Sequence, residues 1–353
     1  MRAACFKPEG HREMPFFMRE MISIATRKYI AGDGELLTLM MENKMDATRY
    51  IREIGRGAKG ASDLSRADAE ILFGAMLDGE IDELQLGALL IGWRIKSESD
   101  DEMLGFKAAL DARTPQLSLP EGSPRLVVIP SYNGARRQPN LTPLLALRLA
   151  QSGVPVLIHG RYDFETRVDP SELMATLGIP RANSVAHAAE LLAEQRIAFI
   201  DLANLLPGLD ALLALRPRLG LRNLSHSMVK LLDPARGSSV RLVAVTHPEY
   251  LDKMRTFLTA DGGRALLLRG TEGEVYANPR RRPQLEAFID GSHDIAYPAE
   301  EGGTPPLEGI PVTPENAATA VLIGDMLAGR APIPQPILDQ IDAVTRLTCV
   351  ESC

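Results

Sequence analysis

The sequence predicts an α/β protein in which a small N-terminal all-helical domain precedes a larger α/β domain with a mainly parallel central sheet. Three observations carry this expectation. Apolar residues recur at helical spacing from Met45 to about Arg113. A Pro/Gly-rich hinge follows from Pro115 to Pro124, and beyond it short β-type runs alternate with stretches long enough for crossover helices. The boundaries fall at 45–118 and 119–353, and a helical segment near 205–234 is expected to pack back on the small domain.

Residues 1–44 mix Pro, Gly, charges and scattered methionines, with neither the apolar core of a signal peptide nor the acid-poor composition of a transit peptide. They are read as an extension outside the fold, with Met45 as a candidate authentic start. Ser65-Arg-Ala-Asp68 is a capping-box-like start for the helix that Gly79 ends. Asp82 opens the next helix, and Ser99-Asp-Asp-Glu102 is a second capping box. These short helices cannot bury their apolar faces alone, so they need a larger domain or a second copy. The strands are expected at Leu126–Ile129, Val154–Ile158, Ile197–Ile200, Leu242–Val245 and Ala265–Leu268. Thr142–Ser152, Ser171–Leu177, His187–Glu194 and Pro248–Leu258 supply the crossover helices. Asn140 or Thr142 can cap the first of these, with Pro143 in its first turn.

Composition excludes several classes. The chain has 353 residues, 45% of them hydrophobic and 24% charged, enough for a substantial core. No apolar run approaches the roughly 18 residues of a membrane helix. Cys5, Cys349 and Cys353 form no Cys-x-x-Cys pair, so neither a disulfide framework nor structural zinc is expected, and the cytoplasm is the expected location. The net charge of −7 hides a split: residues 1–124 carry −5, residues 125–282 carry +7 and residues 283–353 carry −9. Such asymmetry points to a local anion-binding face on an acidic body, unless folding mixes the charges over the surface.

Ligands in parallel sheets bind where loops leave the carboxyl ends of strands. The loop after the first strand, Pro130-Ser-Tyr-Asn-Gly-Ala-Arg-Arg-Gln-Pro139, carries the basic pair Arg136 and Arg137. Arg161 opens the loop after the second. Arg222, His226 and Lys230 stand at i, i+4 and i+8, one face if the stretch is helical, with Arg216 and Arg218 just upstream. That stripe is either a row of phosphate contacts or an ordinary solvated helix face. Arg280, Arg281 and Arg282 lie between prolines and form either another phosphate-holding cluster or a plain surface loop. Arg49, Arg52, Arg56 and Lys59 are secondary candidates. No Ser-His-Asp or Cys-His constellation can be assembled. His159, His187, His247 and His293 read as loop or packing residues, and Tyr132 and Tyr162 as packing rather than base-stacking groups.

From about Met45 to Pro334 the chain resembles the anthranilate phosphoribosyltransferase family of glycosyltransferases. The resemblance rests on Gly79-Glu80, Arg94-Ile95-Lys96, Gly153-Val-Pro-Val156, His159-Gly160, Leu177-Gly178, Arg216, Leu219-Gly220, Arg222, Gly329 and Ala331-Pro332. It implies the nucleoside phosphorylase/phosphoribosyltransferase-like fold. The chemistry departs from the pattern. Tyr132, Asn133, Arg136 and Arg137 stand where the family has the Gly-Thr-Gly-Gly-Asp turn that approaches the diphosphate. Arg161-Tyr-Asp-Phe-Glu-Thr-Arg-Val-Asp-Pro170 replaces the family's serine-rich phosphate loop. Val275 and Tyr276 stand where the magnesium-binding Asp-Glu pair is expected, and neither ligates a hard cation.

The strings Tyr50-Ile-Arg-Glu-Ile-Gly-Arg-Gly57, Ile129-Pro-Ser-Tyr-Asn-Gly-Ala-Arg136, Val229-Lys-Leu-Leu232, Thr246-His-Pro-Glu-Tyr250 and Arg269-Gly-Thr-Glu-Gly273 resemble most closely the YbiB-type subgroup. That resemblance implies a homodimer formed through the small domain and sequence-independent binding of DNA or RNA by basic patches. The expectation is therefore a non-enzymatic nucleic-acid-binding protein without metal or cofactor. The alternative is a surviving phosphoribosyltransferase acting on anthranilate or a related aromatic acceptor.

Overall fold

The structure, a computed structural model, describes residues 44–57, 59–162, 167–303, 309–310 and 313–349. The proposed extension, apart from Lys44, lies outside the described residues, as do Cys5, Cys353 and part of the Arg161–Pro170 string. The described residues from Asp46 to Cys349 form one compact unit.

The helical layer comprises α1 (Thr48–Ile54), α2 (Arg66–Leu77), α3 (Glu83–Lys96) and α4 (Asp100–Arg113). Its starts follow from local chemistry. Ser65 Oγ accepts from the Asp68 amide, Asp82 from that of Leu84, and Ser99 with Glu102 forms the complete capping box. Glu102 does more than cap. Its buried carboxylate accepts from Trp93 Nε1 at 3.1 Å, from the Leu64 and Ser99 amides at 3.1 and 2.7 Å, and from Lys96 Nζ at 2.8 Å. Both oxygens of a desolvated charge are thereby engaged, the condition under which burying one is tolerable.

Beyond the hinge the chain runs β1 (Leu126–Pro130), α5 (Thr142–Gln151), β2 (Val156–Gly160), α6 (Ser171–Thr176), β3 (Arg181–Ala182), α7 (Val185–Gln195), β4 (Ile197–Asp201), α8 (Leu202–Leu205), α9 (Pro207–Ala214), α10 (Arg216–Leu219) and α11 (Ser225–Met228). A 3-10 turn over Val229–Leu231 leads to β5 (Ser239–Val245), α12 (Glu249–Asp261), β6 (Arg264–Arg269), β7 (Leu285–Ile289), β8 (Ser292–Tyr297), α13 (Asn316–Leu327) and α14 (Gln335–Thr348). Among the described residues eight strands form one sheet in the order 3-4-2-1-5-6-7-8, parallel from β3 to β6 and antiparallel over β7 and β8.

The five expected strands are all present. The β7–β8 hairpin was not expected, although Asp290-Gly291 between its strands is a hairpin signal. It went unread because β8 has little apolar alternation: Ser292 to Ile295 are exposed along the sheet edge.

On one face of the sheet Val127, Ile129, Val156, Ile158 and Leu242 pack against residues of α5, α6, α13 and α14, including Leu144, Met174, Ile323 and Val344. The other face carries α8 and the 3-10 turn. From there α9 packs on α2, and α11 on α4. At Gly208 in α9 a β-carbon would lie 2.0 Å from the Leu77 carbonyl oxygen, so the helices touch backbone to backbone. His159, near the end of β2, is fully buried, neither ring nitrogen has a hydrogen-bond partner among the described residues, and burial lowers its pKa to about 3. Among the described residues no helix is long and apolar enough to cross a membrane.

Two expectations follow. Gly208→Ala should lower the urea unfolding free energy by about 1–3 kcal/mol, the usual cost of overpacking a close contact. A His159 pKa below its unfolded value makes stability fall as pH drops from about 6.5 towards 3, by about 1.4 kcal/mol per pH unit for this one proton. Urea titrations across that window should show His159→Leu losing that component of the slope.

Candidate functional site

The carboxyl ends of β1, β2, β5 and β6 set the site, because the sheet interior forces their departing loops to one edge. Beside them lies a cleft of about 510 Å³ between the end of α3, the segment 216–230 and the β5–α12 loop. Arg94, Arg216, Arg222, His226, Lys230 and His247 line it, with Glu98 and Glu249 as its carboxylates and Tyr250 at its wall. Glu98 is taken by Lys253 at 2.7 Å. Lys230 has no carboxylate partner among the described residues. Burial, and then the Arg222 charge, bring its pKa down to about 8.

His226 is 5% exposed, and burial followed by the Arg222 and Arg216 charges lowers its pKa to about 3, so it is neutral at pH 7. It contributes shape and a polar edge to the cleft rather than charge. Tyr132 lies beneath it, edge-on to the imidazole at 6.4 Å, and donates its hydroxyl to the His226 carbonyl at 3.0 Å. Burial pushes that phenol up to about 12.

The structure corrects the helical stripe. Arg222 sits in a loop, His226 in the single turn α11 and Lys230 in the 3-10 turn, so the three do not share a helix face. They meet because the short elements fold around one cleft. Arg218 does not join them: exposed, it pairs with Glu83 of α3 at 2.9 Å. Arg161 is held by Asp210 at 2.5 Å. Arg282 is bound by Asp339 and the Pro298 carbonyl, and Arg281 by the Gly302 carbonyl. Both line a separate groove of about 630 Å³ with Arg269 and Arg255, while neighbouring Arg280 is exposed. Arg255 is neutralised by Glu286 at 2.7 Å. None of Arg49, Arg52, Arg56 and Lys59 lines the cleft.

Arg136 and Arg137 are exposed, and their loop is organised by residues that sequence reasoning passed over. Glu274, 1% exposed, accepts from the amides of Asn133 and Gly134, both at 2.8 Å, and from the hydroxyls of Ser131 and Thr142 at 2.6 and 3.2 Å. Glu272 accepts from the amides of Arg136 and Arg137 at 2.7 and 3.2 Å. The remaining amide, that of Ala135, donates to the Val168 carbonyl at 3.1 Å. Every backbone N–H from Asn133 to Arg137 is thus engaged within the chain.

Arg222 donates to the Asn133 side chain, joining this loop to the cleft. Arg167 donates to the carbonyls of Gly134 and Glu272 at 3.1 and 2.8 Å; burial and then the Arg222 charge lower its pKa. Where the family's metal-binding pair was expected, the side chains are packing groups: Val275 and Tyr276 are both 1% exposed, and Tyr276 donates to the Pro139 carbonyl at 2.9 Å. Among the described residues no cluster of three or more His, Cys, Asp or Glu is placed to hold a metal ion.

Comparison with known proteins locates this architecture. Residues 48–114 match the helical bundle domain of a glycosyl transferase family. The uncharacterized protein YbiB of Escherichia coli K12 is 43% identical over 298 residues, 84% of this chain and 92% of that protein. Anthranilate phosphoribosyltransferase 2 of Ralstonia nicotianae is 29% identical over 62% of this chain and 63% of its own length. The crystal structure of anthranilate phosphoribosyltransferase from Thermus thermophilus superposes with a TM-score of 0.66 at 21% identity, covering 86% of this chain and 88% of that one. With the helical bundle, the mostly parallel sheet and the YbiB likeness all in one chain, the protein belongs to the anthranilate phosphoribosyltransferase-like glycosyltransferase family, in its YbiB-type branch.

Proposed function

We propose that the protein binds nucleic acid, DNA in the first instance, without sequence preference and without catalysing phosphoribosyl transfer. The observation that carries this reading is the convergence of Arg94, Arg216, Arg222 and Lys230 on one cleft, with Lys230 lacking a carboxylate partner among the described residues. Cations gathered in one cleft repel each other, and a bound polyanion relieves that repulsion. Side chains that grip phosphates carry no base information, which makes the binding indifferent to sequence. The engaged amides of the β1 loop favour this reading over the enzyme, since transfer from a diphosphate donor needs free donors for the leaving group. The many anthranilate phosphoribosyltransferases among the relatives favour the second reading, transfer to anthranilate or a related acceptor. Magnesium-dependent release of pyrophosphate with anthranilate would establish the enzyme.

The proposed partner of the helical layer is a second copy of this chain. Leu84, Ala88, Ile91 and Ile95 stand at i, i+4, i+7 and i+11 along α3. Leu84 is 82% and Ile95 58% exposed. Such a stripe on a helix is a self-complementary apolar seam.

Three outcomes are expected. In fluorescence-anisotropy titrations Lys230→Glu and Arg222→Glu should weaken unrelated DNA sequences alike, and Lys230→Ala should reduce the magnitude of the salt slope by about 0.9. Because Lys230 loses its proton near pH 8, affinity should fall about tenfold between pH 7 and 9, and Lys230→Arg, which stays charged, should flatten that profile. Leu84→Glu combined with Ile95→Glu should sediment as a monomer where the unaltered chain sediments as a dimer.

A further inference from the structure

Lys230 is placed by its neighbours. Val229 and Leu231, on either side of it in the 3-10 turn, are fully buried, and the turn packs on β1 and β5, so the backbone carrying the lysine is fixed. Its side chain is half-buried at the wall of the cleft and enters no hydrogen bond or ion pair among the described residues. An ammonium group drawn out of bulk water normally gains a carboxylate in exchange. The other lysines withdrawn from solvent among the described residues do so: Lys96 holds Asp63 and Glu102, Lys107 holds Asp111, and Lys253 holds Glu98. Lys230 shares its cleft with Arg94, Arg216 and Arg222 instead.

A desolvated amine beside another cation favours its neutral form, whose lone pair is a nucleophile for carbonyl carbon. With its pKa brought down to about 8, by burial and then by Arg222, Lys230 is neutral in about one molecule in ten at pH 7. An ordinary lysine near 10.4 is neutral in fewer than about one in a thousand. The guanidinium groups stay protonated, so they hold phosphate without competing for an electrophile. Two further features of the cleft suit a small polar guest. His226, 5% exposed, lines it with an Nε2 atom that has no partner among the described residues. Its volume of about 510 Å³ falls in the range of about 300–1,000 Å³ usual for small-molecule sites, room for a sugar with its phosphates.

We propose that Lys230 is a nucleophilic amine with which the cleft captures a phosphate-bearing aldehyde as an imine. In a nucleic acid that aldehyde is the ring-opened deoxyribose of an abasic site, which has phosphates on both sides and no base to accommodate; this source rests on the nucleic-acid reading above. A free phosphorylated aldehyde is the other source of the same chemistry. In the step the Nζ lone pair bonds to the aldehyde carbon. The carbinolamine then loses the aldehyde oxygen as water, together with both amine hydrogens, and a C=N bond replaces the C=O bond. Nothing is oxidised or reduced.

The test is trapping with sodium cyanoborohydride, which reduces an imine to a stable secondary amine, followed by digestion and mass mapping of the modified lysine. One arm uses a short single-stranded DNA carrying one abasic site, the other pyridoxal phosphate. At pH 7 Lys230 of the unaltered chain should carry about tenfold more adduct than the exposed Lys59. Lys230→Arg should lose most of the adduct, compared at protein concentrations that give each chain the same fraction of DNA bound. Adduct at Lys230 from the abasic DNA supports the polymer as the source. Adduct from pyridoxal phosphate alone supports the nucleophilic amine and assigns it to a small phosphorylated aldehyde. The proposal is overturned if Lys230 is unmodified in both arms, if Lys59 reacts as readily, or if Lys230→Arg traps as much. Anisotropy on the same DNA separates the two ideas: DNA that binds while neither arm modifies Lys230 defeats the imine alone, and DNA that does not bind defeats the nucleic-acid reading and leaves pyridoxal phosphate to decide the imine.

Discussion

A loop that leaves the middle of a buried parallel sheet must find acceptors for its backbone amides, because an unpaired N–H away from water costs about as much as a lost hydrogen bond. At the end of β1 this protein supplies the acceptors from within: two glutamates of the β6–β7 turn and one carbonyl of the segment after β2. Much of the site geometry follows. Glu274 draws Ser131 and Thr142 together and so joins the end of β1 to the start of α5. Asn133, fixed by its amide, holds Arg222 at the border of the cleft. Arg167 bridges the two loops through their carbonyls. Removing Glu274 would leave several buried donors unpaired at once.

The second constraint is the close approach of the helical layer to the sheet. Glycine contact at Gly208 brings α9 against α2, and the Arg218–Glu83 pair holds α10 near the start of α3. The chain from α8 to the 3-10 turn therefore crosses between the layers in short pieces rather than one helix. Breaking it up turns Arg216, Arg222 and Lys230 towards the same cleft, which Arg94 enters from α3. A regular helix would have placed the residues between Arg222 and Lys230 at about 1.5 Å per residue along a line; the irregular path gathers them instead.

What could be read in the sequence divides along physical lines. Signals that act within four residues were legible: Ser65, Asp82 and Ser99 cap the helices as their spacing implied, and buried strands announced themselves as apolar runs. The cleft was half legible. Arg216, Arg222 and Lys230 were recognised by their charge, although the element joining them was drawn as one helix. Arg161, Arg218 and Arg282 illustrate why charge alone misleads: each is matched by a carboxylate 49, 135 or 57 residues away, a pairing with no local signature. Glu272 and Glu274 were overlooked for the same reason. A carboxylate serving as an amide acceptor leaves no spacing pattern, and attention fell on Val275 and Tyr276, which are packing residues. Glu272-Gly273 was the available clue, since Gly at the second position of a two-residue hairpin loop is a turn signal.

These arrangements bear on the kind of ligand the cleft suits. A small phosphate ester is held best by donors fixed to backbone, which cost little ordering on binding and read its geometry closely. In this protein the backbone donors of the β1 loop already have partners within the chain, and the cations lining the cleft, Arg94, Arg216, Arg222 and Lys230, are long side chains. Such side chains adapt to phosphates at varied positions along a strand and gain from displacing its counterions. They also leave bases unread, because a guanidinium or ammonium directed at a phosphate makes no contact with a base edge. The proposed move from a nucleotide-sized substrate to a polymer then requires no new fold, only a closed amide nest and, beside it, a lysine that no carboxylate among the described residues neutralises.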